Sequence, residues 1–118
     1  MKPTIKTEWI LCLIDGSYKQ TSFQLQDLDN HFDAVGVLVD RAVYAGVLPK
    51  PRRLDKASGA QHFFGYAYED GKHSTATRAP KAVCEWAGIG YWQLNHIQTM
   101  NDKGKSFTEI AAYIKENY

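Results

Sequence analysis

Four basic residues and four ring-bearing residues in the middle of the chain could recognise a nucleotide: Arg52, Arg53, Arg78 and Lys81, with Phe64, Tyr66, Tyr68 and His73. Flat apolar rings stack on a base, and cations form charge-assisted hydrogen bonds to phosphate oxygens. Arg78 and Lys81 also flank Pro80, where a helix is expected to begin, and the free N–H groups of a helix start favour an anion. The same residues have a plainer reading. Aromatics at alternate hairpin positions commonly face a core or a neighbouring subunit, and a Pro-Arg-Arg segment is commonly just solvated.

Other reactive residue types combine less well. His62 and His73 share an expected hairpin face, but His62 lies six residues from the partner expected for His73, or about 20 Å along a strand. They cannot ligate one metal within a subunit, and His31 and His96 belong to other segments. Asp27, Asp29 and Asp33 lack the glycine and distal glutamate of a calcium loop, so turn formation and helix capping explain them more simply. Cys84 and Glu85 are adjacent on an expected helix and point about 100° apart, which makes Cys84 a structural thiol rather than a nucleophile beside its base. No phosphate loop, serine elbow or zinc signature is present, and neither a metal nor a cofactor is expected.

The elements that would position these residues follow from apolar spacing. In residues 32–46, Val35, Leu38, Val39, Ala42, Val43 and Gly46 recur at helical intervals, with Val37 and Tyr44 on other sides. So apolar a helix must be covered on most sides and is expected at the centre of the fold, capped by Asp33, with Gly36 admitting a close neighbour. Residues 4–14 read as a first helix ended by Gly16, and residues 18–28 as two short strands around a turn at Asp27, Asp29 and Asn30. Residues 48–54, LPKPRRL, have a linker composition that continues through Lys56, Ser58 and Gly59.

Residues 61–69 and 72–77 flank Asp70-Gly71, the dipeptide of a type I′ hairpin turn, which pairs Glu69 with Lys72, Tyr68 with His73, Tyr66 with Thr75 and Phe64 with Thr77. This hairpin is expected to project or to pair with another copy. Pro80 starts a short helix ended by Gly88, and Leu94, Ile97 and Met100 mark another over 91–101. Ser106 and Glu109 form a capping box ahead of Phe107, Ile110, Ala111 and Ile114. The fold class is α+β, a compact helical domain around a central apolar helix with one or two β-hairpins.

At 118 residues and a formal net charge of +1, the chain fits one domain and argues against general nucleic-acid coating or a membrane-surface role. Its two cysteines make no disulfide framework, and the apolar run 9–14 is too short for a signal peptide or membrane span, which points to the cytoplasm.

The chain resembles a group of small proteins encoded by bacteriophages and prophages. The resemblance is carried by Trp9 and Leu13 with Asp15-Gly16-Ser17-Tyr18-Lys19-Gln20, by Phe32, Gly36-Val37-Leu38 and Asp40, and by Val83 with Trp86-Ala87-Gly88. Near the end it continues through Asn101-Asp102, Gly104, Ser106-Phe107 and Glu109-Ile110-Ala111. It skips residues 47–79, which look like a variable insertion. Where the pattern commonly has two adjacent cysteines before the central helix, this chain has Asp33 and Ala34 or Ala34 and Val35, which argues against thiol chemistry there. Small phage proteins often act against host defences, some by sequestering nucleotide immune signals.

The resemblance and the ring-and-cation set together imply a phage-type protein, homo-oligomeric in the host cytoplasm. It would bind a nucleotide-derived immune signal, of the cyclic ADP-ribose or cyclic oligonucleotide type, without chemistry. One alternative is an inhibitor of a host or phage protein. Another is a nucleotide-cleaving enzyme using His62, His73 or His96 as acid or base.

Overall fold

The computed structural model describes residues 1–55 and 63–118; Lys56, Ser58, Gly59, Gln61 and His62, which entered the linker and hairpin expectations, lie outside the described residues. Among the described residues, five helices and a three-stranded antiparallel sheet make an α+β fold. In chain order the elements are α1 (Pro3–Ile14), α2 (Ala34–Tyr44), β1 (Arg52–Leu54), β2 (Gly65–Asp70), β3 (His73–Thr75), α3 (Lys81–Ala87), α4 (Tyr91–Asp102) and α5 (Phe107–Asn117). Among the described residues, no helix is long and apolar enough to cross a membrane.

The apolar helix is central, as its spacing predicts. Residues 34–39 and Ala42 of α2 are all buried, and α2 packs against α1, α3 and α4. Its start is set by Asp33, whose Oδ1 accepts from the Gly36 backbone N–H at 2.6 Å. Gly36 is required by contact, because a Cβ there would overlap the Leu25 carbonyl. The helix α1 buries Trp9 and Leu13, and the Trp9 indole N–H donates to the Ala34 carbonyl at 2.9 Å, so the first helix is tied to the entry of the central one. In α5 the capping box forms with both bonds at 3.1 Å, and Phe107, Ile110, Ala111 and Ile114 turn inward, with α5 packed on α1 and α4.

Four local expectations are corrected. Residues 18–28 do not form a strand pair; they wind over α2 with only single bridges from Gln20 and Gln26 to Phe32. The turn among them is present, with Asp27 Oδ1 accepting from the Asp29 and His31 backbone N–H groups at 2.9 Å each. The expected linker contains β1, which pairs Arg52 with Ala67, Arg53 with Tyr66 and Leu54 with Gly65. Pro49 and Pro51 both precede this three-residue edge strand, Pro51 immediately, a position where proline is tolerated in a sheet.

The hairpin turn also differs. Asp70 pairs with His73, Glu69 with Ser74 and Tyr68 with Thr75, so Gly71 and Lys72 are the central turn residues. Gly71 has φ +61° while Lys72 is not left-handed, which is the type II′ arrangement rather than I′. The partner of Tyr68 shifts by two residues, so face membership is kept. Nor does the hairpin simply project: Gly65, Ala67 and Tyr68 of β2 are buried within this chain.

Candidate functional site

A groove of about 1140 Å³ opens between α1, the C-terminal half of α2 and the segment 15–32. From α1 it takes Thr4, Thr7, Glu8, Leu11 and Cys12, residues at helical spacing that form the face turned away from Trp9 and Leu13. From α2 it takes Asp40, Arg41 and Tyr44, the polar and aromatic stripe of an otherwise buried helix. Pro3, Asp15, Ser17, Tyr18, Gln26, Asn30 and Phe32 complete it.

One polar network runs across this lining. Arg41 Nε donates to Glu8 Oε1 at 2.7 Å, joining α2 to α1. The Tyr18 hydroxyl donates to Asp40 Oδ2 at 2.5 Å, and Arg41 Nη1 approaches the same hydroxyl at 3.5 Å. The Arg41 guanidinium lies 4.8 Å from the centre of the Tyr44 ring, and the Tyr18 ring meets Phe32 edge-on with centroids 5.1 Å apart. Tyr44 is 74% exposed, so its ring is open to a ligand.

Burial raises the Asp40 carboxyl above the usual carboxylate range, partly offset by the Tyr18 bond and by Arg41. Burial also raises the Tyr18 phenol. The Asp15 carboxylate is held low by its hydrogen bonds from the Ser17 hydroxyl and backbone N–H, at 2.5 and 2.8 Å, and is ionised at neutral pH. Burial raises the Cys12 thiol, so the groove holds a thiol and not the thiolate that a nucleophile requires.

A smaller polar cavity of about 190 Å³ lies at the start of α2, lined by Asp33, Gln98, Thr77, Arg78, Asp102 and Phe23. Asp33 is buried there, and burial pushes its carboxyl up to about 7 against the opposing bonds from Gly36 and Gln98. Gln98 Nε2 donates to Asp33 Oδ2 at 3.2 Å and to the Thr77 carbonyl at 2.7 Å. Among the described residues, no group of three His, Cys, Asp or Glu side chains is placed to hold a metal.

The eight residues singled out from the sequence occupy several places, and none lines the large groove. Arg53 and Tyr66 come together: Nη1 donates to the Tyr66 hydroxyl at 3.1 Å, the guanidinium lies 5.9 Å from the ring centre, and Nε pairs with Asp55 at 3.0 Å. Arg52, next to it on a strand, points to the opposite face and pairs with Glu69 at 3.4 Å. Tyr68 is fully buried, and its hydroxyl donates to Gln26 Oε1 at 2.6 Å, so it is bonded to the groove lining through Gln26 without itself lining it.

Phe64 and His73 are exposed. Arg78 leans on α4, with Nη1 3.5 Å from both Asn95 Oδ1 and Gln98 Oε1, and Lys81 is an exposed side chain 3.7 Å from Glu85. At the start of α3, Asp70 Oδ2 accepts from the Ala82 backbone N–H at 3.0 Å. The hairpin thus supplies its own anion at that helix start.

Glu8, Tyr18, Asp40, Arg41 and Tyr44 escape a search for clustered chemistry because they are scattered along the sequence. One signal was available: charges at positions 40 and 41 of an apolar helix mark its single uncovered stripe. The Asp15-Gly16-Ser17-Tyr18 run, Phe32 and Asp40, which carry part of the sequence resemblance, supply five of the lining residues.

A family model described as a domain of unknown function, DUF8296, matches residues 1–118, and the chain belongs to that family. No curated protein and no solved structure matches it.

Proposed function

We propose that this member of the DUF8296 family is a binding protein that holds a small nucleotide-derived ligand without altering it, and that the α1–α2 groove is the seat. One observation carries the reading: a groove of about 1140 Å³ presents the open Tyr44 ring and the Tyr18–Phe32 pair beside hydrogen-bonding side chains. Ligand pockets of ~300–1,000 Å³ combine apolar and aromatic walls with a few polar groups in this way. Retention without reaction is supported by the state of the groups present. The Cys12 thiol and the Tyr18 phenol are both raised by burial, and Asp40 is occupied by Tyr18. The role as a sponge for a host immune signal, its phage and cytoplasmic setting and the homo-oligomeric state are part of the proposal and rest on the sequence reading.

The test is to incubate purified protein with cyclic oligonucleotides and cyclic ADP-ribose isomers, remove free ligand, then heat the protein and identify what is released. Depletion followed by recovery of the intact molecule, both abolished in Tyr44→Ala and kept in Arg53→Ala, is the expected result. Loss in Arg53→Ala with retention in Tyr44→Ala would move the seat to the sheet. Altered products would make the protein an enzyme.

A protein partner is the second reading, favoured by the exposure of Leu11 and Tyr44, 54% and 74%, on the groove. It predicts no nucleotide depletion and a partner whose capture fails with Leu11→Asp.

A further inference from the structure

The charge of the groove determines which end of a ligand it can admit. Among the described residues, its charged lining consists of Glu8, Asp15 and Asp40 against a single cation, Arg41. That guanidinium is already committed: Glu8 holds it at 2.7 Å, the Tyr18 hydroxyl lies 3.5 Å away, and it rests over Tyr44. An entering phosphate would therefore find no uncommitted cation and would face ionised Asp15, whose lone pairs are only partly used by Ser17. A phosphate site is built the other way, from unpaired guanidinium forks or converging backbone N–H groups. A ring with N–H donors or positive charge meets complementary groups here, namely carboxylate oxygens and the electron-rich face of Tyr44.

Resting on the binding reading above, we infer that the groove admits the donor-rich or cationic heterocyclic end of its ligand and turns phosphates away. Selectivity then comes from what the carboxylates repel as much as from what the rings hold. A ligand carrying phosphates would be seated by its base with the phosphates toward solvent. Asp15 is the simplest residue with which to probe this, since it is exposed and, among the described residues, its carboxylate is bonded by the neighbouring Ser17 alone.

The experiment is isothermal titration calorimetry of the full chain with adenosine, adenosine 5′-diphosphate and 1-methyladenosine, whose ring is positively charged at neutral pH. The expected order is 1-methyladenosine tightest and the diphosphate weakest, at least tenfold below adenosine. In Asp15→Asn the gap between diphosphate and adenosine should narrow at low salt. A diphosphate that binds as tightly as adenosine overturns the inference, as does failure of all three to bind. Depletion of a phosphate-rich cyclic nucleotide through Tyr44 with no adenosine binding would remove this inference alone and leave the binding reading in place.

Discussion

The backbone carbonyl of Leu25 occupies the space that a side chain on Gly36 would need. The segment 15–32 thus lies directly on the central helix, and the wall of the groove is seated by contact with bare backbone. Replacing Gly36 by alanine forces main chain against main chain, where no rotamer change gives relief. The expected cost is about 3 kcal/mol, at the upper end for overpacking, read as a lowered midpoint in urea denaturation. A variant with an unchanged midpoint would mean that the segment lifts off freely.

Tyr18 and Asp40 form the shortest polar contact across the groove. Tyr18→Phe keeps the edge contact with Phe32 but leaves Asp40 without its donor. It should cost about 1.5 kcal/mol, as expected for a hydrogen bond to a charged group. Burial would then act on Asp40 with less opposition, so its carboxyl should titrate at still higher pH. Carboxyl carbon shifts followed by NMR through a pH series would show this, and no change would separate Tyr18 from Asp40 in solution.

Asp33 gives stability a pH dependence of definite sign. Its carboxyl is pushed up to about 7 in the folded protein, above its ordinary value. A raised acid favours the folded state fully below the unfolded value, near 4, and that contribution is lost as pH rises to about 7. Stability relative to Asp33→Asn, which does not titrate, should therefore fall between pH 4 and pH 7 and level off above. Denaturant midpoints of the two proteins across that range check it, and parallel curves would refute it.

Asn101 is buried and satisfied on both sides of its amide. Its Oδ1 accepts from the Ala34 backbone N–H at 3.0 Å and from Gln20 Nε2 at 2.9 Å, while its Nδ2 donates to the Thr21 carbonyl at 2.8 Å. Asn101→Ala leaves several of these groups unpaired, with an expected loss of about 2–3 kcal/mol. Amide exchange should quicken first around residues 20–25. Uniform quickening over the whole chain would instead mean that this loop has no local stability of its own.

Arg52 and Arg53 make exposed ion pairs on opposite faces of an edge strand, with Glu69 and Asp55. Alanine at either position should leave the melting temperature nearly unchanged, because exposed ion pairs are screened by water and salt. Scanning calorimetry of the two single variants is sufficient. A larger loss in Arg53→Ala would show that its contact with Tyr66 contributes to folding.

The helical part of this fold was legible because local signals agreed with tertiary ones. Apolar spacing placed α2 at the centre, Asp33 capped it, and Ser106 with Glu109 began α5. The strands were less legible for a physical reason. The run Arg52–Leu54 has poor strand chemistry and becomes a strand only through its partner β2, some thirteen residues further along. The turn after Asp70 could place its two central residues in either of two ways that differ by one step, and the sequence pattern does not separate them.

The eight ring-and-cation residues were grouped by proximity in sequence, yet strand alternation sends Arg52 and Arg53 apart and the core claims Tyr68. The groove was hidden for the converse reason: Glu8, Tyr18 and Arg41 meet only once α1, α2 and the segment between them are packed.

The supports of that intervening segment have a consequence for synthesis. Its backbone is bonded to Tyr66 and Ala76, and its side chain Gln20 is held by Asn101, 81 residues further along. At ~5–20 residues per second, a nascent chain waits about 4–16 s between making Gln20 and making the residue that fixes it. Once Tyr44 has been made, and for the rest of that interval, both groove helices exist without a settled wall between them. A ligand cannot template this site on the ribosome; it can only meet one whose far half has already been translated.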